Sequence, residues 1–113
     1  MNGMKPMEND IKQKTQQLIS ILEQIEHLLV THEEQHWSAW ITRDITVIKK
    51  YDAHGIVHLL SAYGGMGSFN DLWLCAANGH RIDEMEVSGV NDTLSALRSE
   101  AYTLAKEIEN KIQ

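Results

Sequence analysis

Phe69-Asn70-Asp71-Leu72-Trp73-Leu74-Cys75-Ala76-Ala77-Asn78-Gly79-His80-Arg81-Ile82-Asp83-Glu84-Met85-Glu86-Val87 is the stretch that decides between an all-helical fold and a mixed one. Leu72 to Cys75 is a short apolar run, and Asn78-Gly79 is a strong hairpin-turn signal. Arg81 to Val87 partly alternates polar and apolar residues, as a return strand would. The pattern predicts one short β-hairpin within residues 69–88. A second reading stays open: Ser68 with Asp71 three residues later has the form of a capping box, and Asn78-Gly79 can also end a helix. A run this short holds too few periods for periodicity to choose.

Immediately upstream lies Tyr63-Gly64-Gly65-Met66-Gly67-Ser68, which places three of the seven glycines within four positions. Glycines that dense mark positive φ or close approach of another segment. The reading is a tight, specific loop over Gly64, Gly65, Met66, Gly67, Ser68, Phe69, Asn70 and Asp71. Gly65 or Gly67 is expected in a backbone conformation closed to other residues, with Ser68, Asn70 and Asp71 satisfying loop amides. The loop lacks the Lys-Ser/Thr of a P-loop and the strand–GxGxxG–helix context of a dinucleotide site.

Helical patterns surround this centre. Ile11, Leu18, Leu22, Ile25 and Leu29 form a stripe that predicts an amphipathic helix from about Glu8 to Val30. Trp37, Trp40, Ile41, Ile45 and Ile48 predict a second from about His32 to Tyr51. Asp52 reads as a cap before a third, more apolar helix containing Ile56, Val57, Leu59 and Leu60. Leu94, Leu97, Ala101, Leu104, Ala105, Ile108 and Ile112 predict a last helix over about 92–111, with Asn91 as its N-cap. The fold class is therefore mainly α, with α+β at its margin: a bundle of about four helices. The domain reading is a disordered tail over 1–7 and one helical domain over 8–113.

A chain of 113 residues with 42% hydrophobic and 23% charged residues suits one ordinary globular domain. Cys75, the single cysteine, excludes an internal disulfide and fits a reducing compartment. No stretch reaches the roughly 20 apolar residues of a membrane helix, and the first residues lack the apolar core of a secretory signal. The expectation is a cytoplasmic protein. Its net charge of −6 argues against nucleic acid as the main partner and suits a basic protein partner.

His32-Glu33-Glu34-Gln35-His36 has the HExxH form, which on a helix places two imidazoles on one face for zinc. Its middle residues, Glu34 and Gln35, are polar where zinc peptidases of this type carry apolar ones. Thr31 with Glu34 also forms a capping box, which accounts for the acidic pair without metal. His54 and His58 are a second i, i+4 pair, short of the four ligands of a structural zinc site. The reading assigns no catalytic residue, cofactor or metal.

His54-Gly55-Ile56-Val57-His58-Leu59-Leu60, Gly64 to Leu72, and Leu97 to Ala105 together resemble a family of short bacterial proteins built on a GGMGS-F/L-ND-L core. It is an uncharacterised domain family, some of whose members resemble immunity proteins encoded beside polymorphic toxins. Trp37-Ser38-Ala39-Trp40-Ile41 is similar to a tryptophan-containing second helix in that family. The resemblance covers about Leu22 to Ile108 and implies no catalytic residues. It implies a non-enzymatic, toxin-antitoxin-like role: binding and neutralising a cognate toxin domain, such as a basic nuclease. Candidate partner-binding residues are Trp73, Asp83, Glu84, Glu86 and Asp92. The alternatives are a zinc-dependent hydrolase using His32, Glu33 and His36, and a helical dimerisation or interaction module. A homodimer is compatible with either binding role.

Overall fold

A computed structural model of the protein describes residues 6–112. Four α-helices form the frame: α1 (Pro6–Thr31), α2 (Gln35–Ile48), α3 (Ala53–Ser61) and α4 (Val87–Ile112). Between α3 and α4 lie three single-turn 3-10 helices, Phe69–Asp71, Ala76–Asn78 and Glu84–Glu86, joined by extended links. Of the expected tail over 1–7, Pro6 and Met7 belong to α1, and residues 1–5 lie outside the described residues. Proline suits a first helical turn, where its missing N–H would have no partner.

The ion pairs fix the helix directions. Lys14–Glu107 (3.2 Å) and Lys111–Asp10 (2.9 Å) set the start of α1 beside the end of α4, so the two long helices are antiparallel. Lys49–Glu23 (3.3 Å) and the Thr42 hydroxyl on Glu26 run in opposite sequence order, so α1 and α2 are antiparallel as well. The stripes read from sequence meet in one core: Leu18, Leu22, Ile25 and Leu29 of α1 pack with Ile41, Ile45 and Ile48 of α2, Ile56 and Leu59 of α3, and Leu94, Ala101, Ala105 and Ile108 of α4. Each side chain of Leu or Ile size buried there contributes about 1.5–3 kcal/mol before entropy is counted. α2 and α3 approach closely at Gly55, where a Cβ would lie 2.7 Å from Ile48 Cγ1.

Two helix starts change the roles of the residues expected there. The first concerns α2, which begins at Gln35 with Glu34 as N-cap, not near His32. α1 ends in a Schellman turn: Glu33 takes φ +58°, Glu33 N–H bonds Val30 O (3.1 Å) and Glu34 N–H bonds Leu29 O (2.8 Å). Thr31 therefore does not cap α2. Its hydroxyl bonds back to His27 O (2.7 Å). The second is α4, which begins at Val87, so Asn91 lies one turn inside it.

No β-hairpin forms; among the described residues there is no strand. The reason is visible in the hydrogen bonds. Leu72 and Cys75 are extended, but the ladder partners that a return strand would supply come from elsewhere. Asn91 of α4 presents its side-chain amide to Leu74: Leu74 N–H donates to Asn91 Oδ1 (2.8 Å), and Asn91 Nδ2 donates to Leu74 O (2.9 Å). The turn at Asn78-Gly79 does occur, with Gly79 at φ +89°. The chain leaving it pairs with the α1–α2 turn: Arg81 N–H donates to His32 O (3.0 Å).

The glycine loop delivers Phe69 to the core. Phe69 is fully buried, and its N–H bonds Ala62 O (3.0 Å). Its ring meets Trp37 (5.2 Å) and, edge-on, Tyr63 (5.6 Å). Gly67, at φ +80°, gives its N–H to Asp71 Oδ2 (2.8 Å), and Ser68 Oγ accepts Asn70 N–H (3.2 Å). Of the two glycines expected in a special conformation, Gly67 is the one. Gly67→Val should cost about 1–3 kcal/mol. Gly64→Ala, whose Cβ meets nothing within 4 Å, should change stability by less than about 0.5 kcal/mol. Equal denaturant midpoints for Gly67→Val and the wild type would show that the loop does not depend on that backbone state.

Candidate functional site

Trp73 is held outward by three separate backbone restraints. Before it, Leu72 O accepts from Arg98 Nη1 (3.0 Å). At it, Trp73 O accepts from Asn78 Nδ2 (3.1 Å). After it, Asn91 holds both polar groups of Leu74. Leu74 is fully buried and Leu72 partly so, and the alternation of extended chain turns Trp73 away from the core. The indole is 50% exposed although it is a large apolar group on a fixed backbone. A backbone fixed in this way loses little further entropy on binding.

Trp73 lines a surface groove of about 530 Å³ with Cys75, Ala76, Ile82, Val87, Ser88 and Glu84. The floor is apolar and one wall is a carboxylate. Asp83 and Glu86, both exposed, flank Glu84 on the same 3-10 turn, next to the nearly fully exposed Met85. Glu86 folds back so that its Oε2 accepts Asp83 N–H (3.2 Å), the carboxylate half of a capping box. Residues 82–92 contain Asp83, Glu84, Glu86 and Asp92 and no Lys or Arg. Their mutual repulsion is offset where they precede α4, whose N-terminal end favours negative charge. Trp73 and Glu84 thus share one groove, with Asp83 and Glu86 at its edge. Asp92 is exposed on α4 but does not line the groove. The loop residues Gly64 and Asn70 belong to a different groove, against α4.

The HEEQH segment is a junction between elements. His32 is buried beyond the end of α1, and its Nδ1 bonds Arg81 O (2.8 Å). His36 is exposed on α2, and the left-handed Glu33 breaks the helix between them. The two rings are therefore not one turn apart on a common helix. Glu34 serves two elements: Oε2 accepts Trp37 N–H (2.8 Å) as the cap of α2, and Oε1 meets His80 Nε2 (3.1 Å). His80 Nδ1 accepts Cys75 N–H (3.1 Å). A backbone N–H only donates, so the ring proton sits on Nε2 and is given to Glu34. Among the described residues, no group of three His, Cys, Asp or Glu side chains could hold a metal ion.

The second histidine pair is split in a different way. His54 is exposed and bonds its own N-cap, Asp52 (2.9 Å). His58 Nδ1 reaches Asp44 Oδ1 (2.5 Å) and its ring stacks on Trp40 at 4.3 Å. Asp44 is buried, and among the described residues neither its Oδ2 nor the indole Nε1 of Trp40, one turn away, meets a hydrogen-bond partner. Burial pushes the Asp44 carboxyl above the usual range, and His58 and Arg43 pull against it without reversing the shift. Sequence reasoning passed over Asp44. Its signal was position: three residues after Ile41 and four before Ile48, it sits inside the apolar stripe of α2. Arg98 and His80 were missed for a different reason, since Arg98 holds loop carbonyls and His80 bridges a loop N–H to Glu34, partners distant in sequence that no periodicity marks.

Residues 30–83 match a protein family described as Domain of unknown function (DUF6966). No curated protein and no solved structure matches the chain. The matched stretch runs from the end of α1 to Asp83 and carries Glu34, Asp44, Phe69, Trp73 and His80. It excludes Asn91 and Arg98, which hold that stretch from α4.

The raised Asp44 pKa has a definite sign. The folded state binds the proton more tightly than the unfolded chain, so ionised Asp44 destabilises the fold as pH rises above the ordinary value of 3.8. Asp44→Asn keeps an acceptor for His58 and removes the charge. Its stability relative to wild type should be more favourable at pH 7 than at pH 4. A reversed order in thermal melts at the two pH values would mean that the His58 ion pair outweighs desolvation.

Proposed function

We propose that the protein is an immunity-type binding protein that neutralises a cognate bacterial toxin domain without catalysis, acting in the cytoplasm. The observation that carries the reading is Trp73, half-exposed on a backbone restrained at three consecutive residues, in an apolar groove walled by Glu84. Aromatic anchors in such surroundings dominate interface energetics, and surrounding charge selects the partner and speeds encounter. The partner surface that fits has an apolar knob or rim for the groove and Lys or Arg opposite Asp83, Glu84 and Glu86. A basic nuclease or other basic effector domain has that character. The resemblance to a family some of whose members resemble immunity proteins points the same way.

The test is co-expression with the toxin domain encoded beside the gene, with growth rescue and a one-to-one complex on size exclusion as expected outcomes. Trp73→Ala should weaken the complex by about 2 kcal/mol or more. Glu84→Lys should slow association and flatten its salt dependence, whereas Glu86 is a poorer probe because it also caps Asp83. No rescue and no complex would reject the reading. Rescue untouched by Trp73→Ala and Glu84→Lys would keep neutralisation and move the binding face away from this groove.

A further inference from the structure

Between the end of α3, the glycine loop and α4 lies a second groove, of about 660 Å³, whose lining includes Arg98, Lys106, Glu109, Ser95, Ser99 and Tyr102. Arg98 is the unusual member. It is half-buried, yet no carboxylate lies within ion-pair distance among the described residues. Long cationic side chains taken out of water are normally paired. Both Nη1 protons go to loop carbonyls, Phe69 O at 2.9 Å and Leu72 O at 3.0 Å. These bonds lock the guanidinium plane. They leave the Nε–Nη2 edge, the fork that grips two oxygens of an anion side-on, without a protein acceptor among the described residues.

The surroundings match that fork. Lys106, two turns further along α4, lines the same groove together with its ion-pair partner Glu109 (3.1 Å), so that pair balances itself and Arg98 is the lining cation without a carboxylate partner among the described residues. The hydroxyls of Ser95 and Ser99 line the groove, and no intramolecular hydrogen bond engages them among the described residues. Tyr102, 41% exposed and backed by Tyr63 at 5.0 Å, offers an aromatic surface beside these donors. Asp71 acts on Arg98 through space, but its Oδ2 is committed to Gly67 N–H.

We infer that this groove is a binding site for a small phosphate monoester. The phosphoryl group takes the free fork of Arg98 and the hydroxyls of Ser95 and Ser99, with Lys106 nearby, and a planar body lies against Tyr102. The volume suits a ligand of mononucleotide size. A phosphoryl group has three terminal oxygens to accept from guanidinium, ammonium and hydroxyls together, where a carboxylate has two.

The experiment titrates the full chain with inorganic phosphate, adenosine monophosphate and acetate, following backbone amide shifts by NMR. Phosphate and adenosine monophosphate should give saturable shifts at Ser95, Ser99, Lys106 and Gly64, the nucleotide binding more tightly. Lys106→Gln should weaken binding by about fivefold or more, and Ser99→Phe, which fills the groove, should abolish it. Neither variant touches the bonds that hold Phe69, so both remain informative even if Arg98→Lys fails to fold. No shifts with either phosphate ligand at about 10 mM would overturn the site, as would unchanged affinity in both variants. Acetate binding as tightly as phosphate would overturn the phosphoryl assignment.

Discussion

The two hydrogen bonds between the Asn91 side chain and the backbone of Leu74 are the constraint on which the centre of the molecule depends. A segment of extended chain buried against helices needs partners for its N–H and C=O, because each group left unpaired costs about 1–3 kcal/mol. A sheet would supply them from a second strand. Here one amide side chain does so, since carboxamide O and NH2 reproduce the acceptor and donor of a peptide group. Asn91 completes its own bonding by donating also to Val87 O (2.8 Å), one turn back in α4. The leucine can therefore enter the core while the tryptophan before it stays outside.

The same economy governs the rest of the loop region. Arg98 holds the carbonyls of Phe69 and Leu72, and Tyr63 Oη donates to Arg98 O (2.8 Å), so α4 is tied to both sides of the glycine loop. At the other end, His32 and Glu34 hold residues 75–81 to the α1–α2 turn through Arg81 and His80. The chain from Tyr63 to Glu86 thus has little regular structure but is clamped from two directions. The apolar groove beside Trp73 and the groove holding Arg98 beside Tyr102 are two products of that clamping.

The helical frame was legible in the sequence because it rests on repetition. Leu18, Leu22, Ile25 and Leu29 recur at helical spacing, and so do Leu94, Ala101, Ala105 and Ile108, all of them buried. Asp52 and Gly67 were legible through local backbone chemistry. The hairpin was expected because Leu72 to Cys75 and Asn78-Gly79 carry real local signals: the first is extended and Gly79 does turn the chain. What no local pattern contains is the choice of hydrogen-bond partner. Asn91, at a position that reads as an N-cap, is a buried clamp, and the helix starts earlier at Val87. The HEEQH motif shows the converse, since its spacing is right for a helix but Glu33 closes one helix before Glu34 opens the next. For the candidate site, Trp73 and the acidic run were visible as residue types. Their shared groove follows from the clamps and was not.

The most direct test of this account is native-state hydrogen exchange at the Leu74 amide. If Asn91 Oδ1 is its buried partner, Leu74 N–H should exchange only through global unfolding, with protection equal to that of core amides in α1 and α4 and with a matching denaturant dependence. Exchange as fast as that of the exposed amides of Gly64 and Gly65 would contradict the clamp and, with it, the fixed placement of Trp73.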